Sequence, residues 1–516
     1  MGYVSDMLRV TEDTAAMIKA ATSGIDTTTA IAGIDFLPDL LSWFPVDTPF
    51  FNSVPRGQGK GAVAVIYESI LNNLAAQNYR GVPKNQAAQI AQVQAQYTFS
   101  PYGVVGQGGR VTWDAIAQGE DYTDVLAVDT LFTINNTLIA LEINQLNAAP
   151  FALPAISAPT LAASSTGGSI GAVTVYVKAA AKSGMNWYSG DGQGNMGSAL
   201  PGPAANTSAL TGSTNSVTAS VPAVKGAAGY DWLVSTNGTT YYYYTTTPVN
   251  TVTITSVPSA NQTVPTGYAG LFGSYGAGSP ITGIVVTTDS SYDPTWIQGL
   301  TASILGDWSS TPQGPVPGSE GSSISLVTPG TGVSQGAYYQ SLDGAPLTVS
   351  GASIEEIDRM DKTIYDTYQV SLSRLLVGSQ VITDISNAFL DTPQAVMWLS
   401  PDARDGRLEG VMGGHVASYV NKTVGGHVIP LWLMPYLPPG QIVGVIDSLP
   451  FPGSNVTSAL SVRTLYDFFR FDYGANRVLD TADAGPRYDF EVRSQLAFIN
   501  KAAPICGVLA NVGAGA

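Results

Sequence analysis

His415 and His427, the two histidines of the chain, each stand in the tetrapeptide GGHV and are the first residues to weigh for chemistry. Two imidazoles can share a metal ion, but a site needs further donors: an HExxH helix, a cysteine pair or carboxylates at ligand spacing. The sequence supplies none beside them, so turn or strand-edge histidines are expected. Cys506 is the single cysteine, which excludes an intrachain disulfide and thiol–metal clusters. Gly192, Gly194 and Gly197 spell GxGxxG within SGDGQGNMGSALPG, but a proline and no helical pattern follows, which argues against a dinucleotide. Asp402 and Asp405 in SPDARDGR hold part of a calcium loop's acids; Arg404 and Arg407 oppose a cation there, so turn and helix-cap roles are expected. No G-x-S-x-G elbow or P-loop occurs. No catalytic residue, cofactor or metal ligand is therefore assigned, and an enzyme is the weakest of the function classes.

Composition points elsewhere. The 516 residues are enough for two to four domains, and 44% hydrophobic content makes the chain globular. Charged residues are only 12%, about half the usual share. That scarcity suits surfaces that meet protein rather than water. A net charge of −16 repels phosphate, so a dedicated nucleic-acid reader is not expected. The start, MGYVSDMLRVTEDTAAMIKAA, lacks the continuous apolar run of a signal peptide, so the sequons at Asn206, Asn237 and Asn261 carry no weight. VIPLWLMPYLPPGQIVGVI is broken by Pro430, Pro435, Pro438 and Pro439 and reads as strands and turns, not a membrane span.

The elements that would position any site follow in order. Residues 1–52 read as a short helix and an aromatic, proline-rich arm ending in DTPFFNSV. Residues 53–112 read as two long strands around a polar middle. Between Ser53 and Arg110, Arg56, Lys60, Arg80, Lys84 and Arg110 face only Glu68, a balance near +4 in an acidic chain. A long hairpin has little core of its own, so this one is expected to lie over an acidic surface, in an oligomer a neighbour's. From about Asp121 to Asn147 apolar residues recur at helical spacing (Val125, Val128, Phe132, Ile139, Ile143, Leu146), predicting a long spine helix closed by Pro150.

The sharpest break comes next. Residues 151–290 hold six charged side chains: Lys178, Lys182, Asp191, Lys225, Asp231 and Asp289. Short β-prone runs alternate with turn signals every 8–12 residues, as in an all-β sandwich. GYDWLVSTNGTTYYYYTTT contains Asn237-Gly238 between two such runs, the signal of a hairpin with a type I′ turn. In Tyr241–Tyr244, alternate rings should face opposite sides of a strand. After a low-complexity bridge at 309–332, SIEEIDRMDKTIYDTY predicts a helix with Ser353 as N-cap, Glu356 completing a capping box, and Ile354, Ile357, Met360 and Ile364 buried. Strands are expected at RLLVGSQVI, AVMWLSP, HVIPLWLM and QIVGVID, a short helix near Asp384–Leu390, and two more strands in RYDFEVRSQLAFINKAAPICGVLANV.

In that order of parts (arm with DTPFFNSV, basic two-stranded loop, spine helix, LDGAPLTVSGASIEEIDRM, LLVGSQVITDISNAFL and the closing strand pair) the chain resembles the major capsid proteins of tailed bacteriophages, with the Hong Kong 97-like fold. The resemblance covers roughly residues 30–150 and 280–516 and rests on element order rather than on an invariant motif. Residues 155–258, with VPAVKGAAGYDWLVSTNG and TVTITSVP, are similar to fibronectin-III or immunoglobulin-like modules inserted in phage structural proteins. The resemblance implies an α+β capsid fold: arm 1–52, extended loop 53–112, spine helix 113–150, an inserted sandwich 151–280 on the outer face, a mainly axial domain 281–430, and remaining axial and peripheral strands 431–516. It implies a self-assembling icosahedral shell of pentamers and hexamers around double-stranded DNA, bound without sequence preference. A portal and a separate scaffolding or decoration protein are the further partners it implies, and the place is the virion, after assembly in the host cytoplasm. Arg56, Lys60, Arg80 and Lys84 are the loop residues it would set against a neighbouring subunit. Lys60 and Lys84 match a crosslinking lysine by position only, and no crosslink is expected. The alternatives are an encapsulin-like nanocompartment and a surface adhesin or carbohydrate-binding protein.

Overall fold

The computed structural model describes residues 47–61, 64–71, 84, 94–119, 124–188, 198–257, 281–282, 289, 291–293, 295–305, 337–350, 353–390, 416–421, 425–449, 458–476 and 487–513. Expectations for the arm before Asp47, for Arg80, for the Gly192–Gly197 stretch, for the 309–332 bridge, for AVMWLSP, for Asp402 and Asp405 and for His415 lie outside the described residues.

Along the chain, a one-turn helix α1 (Pro49–Ser53) leads into β1 (Arg56–Gln58), β2 (Ala64–Leu71), β3 (Gln94–Pro101) and β4 (Gly103–Thr112). Helices α2 (Trp113–Gly119) and α3 (Val125–Asn147) follow. Then come β5 (Thr160–Ser164), β6 (Tyr176–Ser183), α4 (Met185–Tyr188), β7 (Ala205–Asn206), β8 (Ser216–Ser220), β9 (Ala227–Ser235), β10 (Thr240–Thr247), β11 (Thr251–Ile254) and β12 (Ile281–Thr282). The last part comprises α5 (Leu300–Leu305), β13 (Tyr338–Ser341), β14 (Val349–Ser350), β15 (Ser353–Ile354), α6 (Glu355–Tyr368), β16 (Arg374–Val377) and α7 (Ser379–Leu390). It closes with β17 (Ser418–Asn421), β18 (His427–Leu433), β19 (Ile442–Val445), β20 (Leu460–Asn476), β21 (Arg487–Asn500) and β22 (Gly507–Ala510). Helices thus punctuate sheets that are largely antiparallel, an α+β architecture.

Helix α3 is the spine, and at 23 residues it is about 35 Å long. Asp124 caps it, accepting from the Ala127 N–H at 3.1 Å. Its inner side differs from the apolar stripe read in the sequence. Ile143 and Leu146 are buried, but Leu131 (55%) and Phe132 (39%) are exposed, and Thr133 and Thr137 lie inside instead. Those threonines can be buried because their hydroxyls donate to the carbonyls of Asp129 and Thr133 one turn back. The helix is long and apolar enough to cross a bilayer, but its last two turns, Leu141–Asn147, are buried in protein.

Under the spine runs a four-stranded sheet ordered β1-β20-β21-β4, in which β20 and β21 have 17 and 14 residues. Glycine lets helix and sheet approach. A Cβ on Gly109 would enter the Phe490 ring and stand 2.7 Å from Asp129 Oδ2 on α3. Gly109→Ala is therefore expected to lose about 1–3 kcal/mol of stability in urea denaturation by forcing α3 off β4.

The six-stranded sheet β13-β22-β19-β16-β18-β17 forms a second layer. One face packs on α6 and α7 through Ile357, Met360, Ile364, Val381 and Ile385; the other joins the core built from α3, α5 and β21. Ile354, Ile357, Met360 and Ile364 are all buried, as their spacing requires. The capping box is not formed. Ser353 lies in β15 and donates to Ser350 O, while Glu356 Oε2 accepts from the Thr348 N–H at 3.0 Å, tying the β14–β15 hairpin to the helix. Helix α7 begins at Ser379, five residues before the expected start, so the strand in RLLVGSQVI is only Arg374–Val377.

Between spine and second layer, two sheets ordered β12-β10-β9-β6-β7 and β11-β8-β5 enclose one apolar core. Along β9, Tyr230, Trp232 and Val234 alternate into it. Their polar tips are satisfied: Trp232 Nε1 donates to Thr247 Oγ1 at 2.8 Å and Tyr230 Oη accepts from the Val224 N–H at 2.9 Å. Asn237-Gly238 does join β9 to β10, but not through a two-residue type I′ turn. The loop has four residues and among its members only Gly238 takes positive φ (71°). Ser235 Oγ accepts the N–H groups of Asn237 and Gly238, so a side chain closes the loop where a paired left-handed turn was expected. Tyr241 is buried and its ring receives the Lys178 ammonium at 4.6 Å; Tyr244, displaced by a bulge, packs on the core edge.

The chain leaves and re-enters the body at one place. Gly299 N–H donates to Ala148 O at 2.8 Å and Leu153 N–H to Ser291 Oγ at 3.0 Å, so the two ends of the sandwich lie side by side. The sandwich is also held to the second layer, by Gln441 Nε2 on Ala227 O (3.1 Å) and Asn250 Nδ2 on Asp343 Oδ1 (2.9 Å).

Candidate inter-subunit surface

Strands β2 and β3 pair in register from Ala64↔Pro101 to Leu71↔Gln94, and among the described residues no third strand joins them. Eight residues at about 3.4 Å each make a ribbon of roughly 27 Å. Its root is fixed: Ser100 Oγ, fully buried, donates to Phe498 O on β21 at 2.6 Å. Beyond that root, among the described residues, the two strands pair only with each other, a geometry that is marginal in water without a second surface.

The basic residues behave differently from their sequence expectation. Arg56 is not on the ribbon but on β1, where its guanidinium pairs with Asp467 at 2.9 Å and stacks over the Phe51 ring at 3.5 Å. Arg110, on β4, pairs with Asp489 at 2.9 Å. These two charges are answered within the chain itself, which halves the excess counted along the segment. Lys60 and Lys84 are exposed, and Arg80 lies outside the described residues.

The same holds across the long sheet. Arg470 pairs with Asp472 and lies over Phe490 at 4.6 Å, Arg487 shares Asp489 with Arg110, and Arg493 pairs with Glu491, which also accepts from Tyr473 Oη at 2.7 Å. Arg493 pulls the Glu491 carboxyl below the usual carboxylate range. Among the described residues this layer also leaves large apolar side chains open: Phe469 (53%) and Tyr473 on β20, Val104 on β4, Trp113 on α2, and Leu131 and Phe132 on α3. A second open set sits on the hairpin β17–β18, where Val420 and Val428 are cross-strand partners and both exposed.

Beneath this layer is a feature missed in the sequence. Glu142, fully buried in the last two turns of α3, accepts from the N–H groups of Phe50 (3.0 Å) and Phe51 (2.6 Å). Those are free donors of a helix N-terminus, so a carboxylate ninety residues away caps α1. Thr48, at the N-cap position, makes no such bond. Burial pushes the Glu142 carboxyl up to about 7; the two N–H bonds oppose this and the charge of Asp47 adds to it. Phe50 and Phe51 pack against Phe498 and Phe468, so the carboxylate pins the segment that follows the arm. The one available signal was a lone acid in the otherwise uncharged run NNTLIALEINQLN.

Among the described residues no set of three His, Cys, Asp or Glu side chains gathers to hold a metal. His427, paired with Asn421 on the edge hairpin, places Nε2 3.1 Å from Leu372 O. Cys506 is buried, and burial pushes its thiol up to about 11, leaving it unreactive.

No protein-family model matches the chain, and no curated protein does. Among solved structures it is similar to the cyanophage A-1(L) capsid asymmetric unit, at 11% identity and a TM-score of 0.40, covering 95% of this chain and 99% of that one. It is also similar to the capsid of a native GTA particle (6%, TM-score 0.39, 94% and 96% covered) and to Gordonia phage Cozz (7%, 0.37, 93% and 91%).

Proposed function

We propose that this chain is a shell-forming subunit, the major capsid protein of a tailed double-stranded DNA bacteriophage with the Hong Kong 97-like fold. One observation carries the proposal: a β-ribbon rooted on β21 and self-paired beyond it, on a body that leaves aromatic and aliphatic side chains open on the adjoining sheet and helices. Such a ribbon is stabilised by lying on another surface, and a second copy of the chain offers the exposed apolar groups of the α3–β20 layer. The contact is thus apolar in the main, with the exposed Lys60 and Lys84 at its rim. Closed symmetry multiplies modest contacts of this kind through effective concentration, which suits pentamers and hexamers in an icosahedral shell.

The sandwich is read as an immunoglobulin-like ornament on the outer face, its joined ends leaving the body continuous beneath it. Net charge of −16 suits a container that must not bind its packaged DNA tightly, and the role is structural rather than enzymatic. Portal and scaffolding or decoration proteins are the remaining partners. Electron microscopy of the purified full chain at micromolar concentration is expected to show closed shells, tubes or capsomers. A monomer under all salt and pH conditions would rule the proposal out.

A further inference from the structure

The loop between β9 and β10 gathers a nucleophile and an electrophile on one hydroxyl. Ser235, fully buried at the end of β9, donates through Oγ to Asn237 Oδ1 at 2.9 Å and accepts from the Gly238 N–H at 3.0 Å. The Thr239 N–H donates to the same Oδ1, also at 3.0 Å. A serine hydroxyl can donate once and accept twice, and this one does all three, since the Asn237 N–H is its other donor. Asn237 is exposed, and Gly238 has no side chain to hold its nitrogen away from the neighbouring carboxamide.

We propose that Asn237-Gly238 is a self-modification site, at which Ser235 catalyses the conversion of Asn237 to aspartate and isoaspartate through a cyclic imide. The Gly238 nitrogen attacks Asn237 Cγ. Its proton passes to Ser235 Oγ while that hydroxyl gives its own proton to Oδ1, so no free charge develops. The Thr239 N–H steadies the oxygen as the carbon becomes tetrahedral. Collapse restores the Cγ carbonyl, moves the proton from Oδ1 to Nδ2 and breaks the Cγ–Nδ2 bond, releasing ammonia. Water, which reaches the exposed loop, then opens the imide. Attack at Cγ gives aspartate; attack at the backbone carbonyl carbon of residue 237 gives isoaspartate, with the chain running through the side chain. Either product adds a carboxylate to a stretch, residues 151–290, that holds only six charged side chains.

Incubating the full chain at pH 8, either folded or unfolded in guanidinium chloride, and following residue 237 by peptide mass spectrometry tests this. An Asn-Gly pair cyclises slowly in any unfolded chain, so the structure's contribution is the difference. The folded chain should react at least about tenfold faster, a lower bound beneath the roughly 10²–10⁴-fold of a positioned acid–base group. A folded chain that reacts no faster than the unfolded one would overturn the proposal. Ser235→Ala should lose the advantage; a faster Ser235→Ala would mean that the serine restrains the loop instead, and would overturn it as well. If Ser235→Ala does not fold, the pH profile of the parent chain decides. Relay through the serine makes the rate rise much less than about tenfold per pH unit, whereas an amide that must first lose its proton to hydroxide follows that full slope.

Discussion

Replacing residues 66–98 by a short Gly-Ser linker is expected to abolish assembly while leaving a folded monomer. Among the described residues the excised strands pair with each other and not with the four-stranded sheet, so their loss removes no ladder from it, and the root contact of Ser100 with Phe498 is kept. Circular dichroism and thermal unfolding should therefore stay close to those of the full chain. Sedimentation, by contrast, should show the concentration needed for assembly rising at least about tenfold, since losing even about 1.4 kcal/mol per contact has that effect before closure multiplies it. Shells forming at the original concentration would remove the ribbon from the assembly mechanism and, with it, the main support for the capsid reading. Because the contact is read as apolar, high salt should weaken assembly little; a steep loss with salt would restore the charge-based account.

The second large effect concerns Glu142. Its carboxyl is raised in the folded state from about 4.5 to about 7, so between those values the folded chain holds a proton that the unfolded chain has released. Stability contributed by this group is thus fully present below about pH 4.5 and is lost as pH rises through about 7, a span worth roughly 3 kcal/mol. Glu142→Gln, which keeps one acceptor and cannot ionise, should flatten that part of the profile in chemical denaturation between pH 5 and pH 8. Glu142→Ala should be worse at every pH, by about 2–4 kcal/mol, because it strands the N–H groups of Phe50 and Phe51 inside the protein. An identical pH slope in Glu142→Gln and in the parent chain would show that another group sets it.

Legibility in the sequence followed the range of the interactions involved. The spine, the buried stripe of α6, the hairpin at Asn237-Gly238 and the closing strands β21 and β22 are written in local periodicity and turn chemistry, and the structure places them where those signals stand. Charge counting failed where partners are remote in sequence. Arg56 and Arg110 looked unanswered because Asp467 and Asp489 lie several hundred residues downstream. The same limit hid Glu142, whose role depends on α1 crossing the spine, and it misassigned Glu356, which serves the Thr348 N–H instead of its own helix. On α3 the apolar pattern indicated the wrong inner side in the first half, since threonines satisfied by their own helix can take the interior and leave Leu131 and Phe132 outside.

The adjacency of Ala148 to Gly299, and of Leu153 to Ser291, makes the sandwich an interchangeable cassette. A module whose own termini are neighbours adds almost no loop-closure entropy when spliced at such a point, whatever its length. A domain spliced at this point could thus be exchanged or lost without changing the order of helices and strands around it.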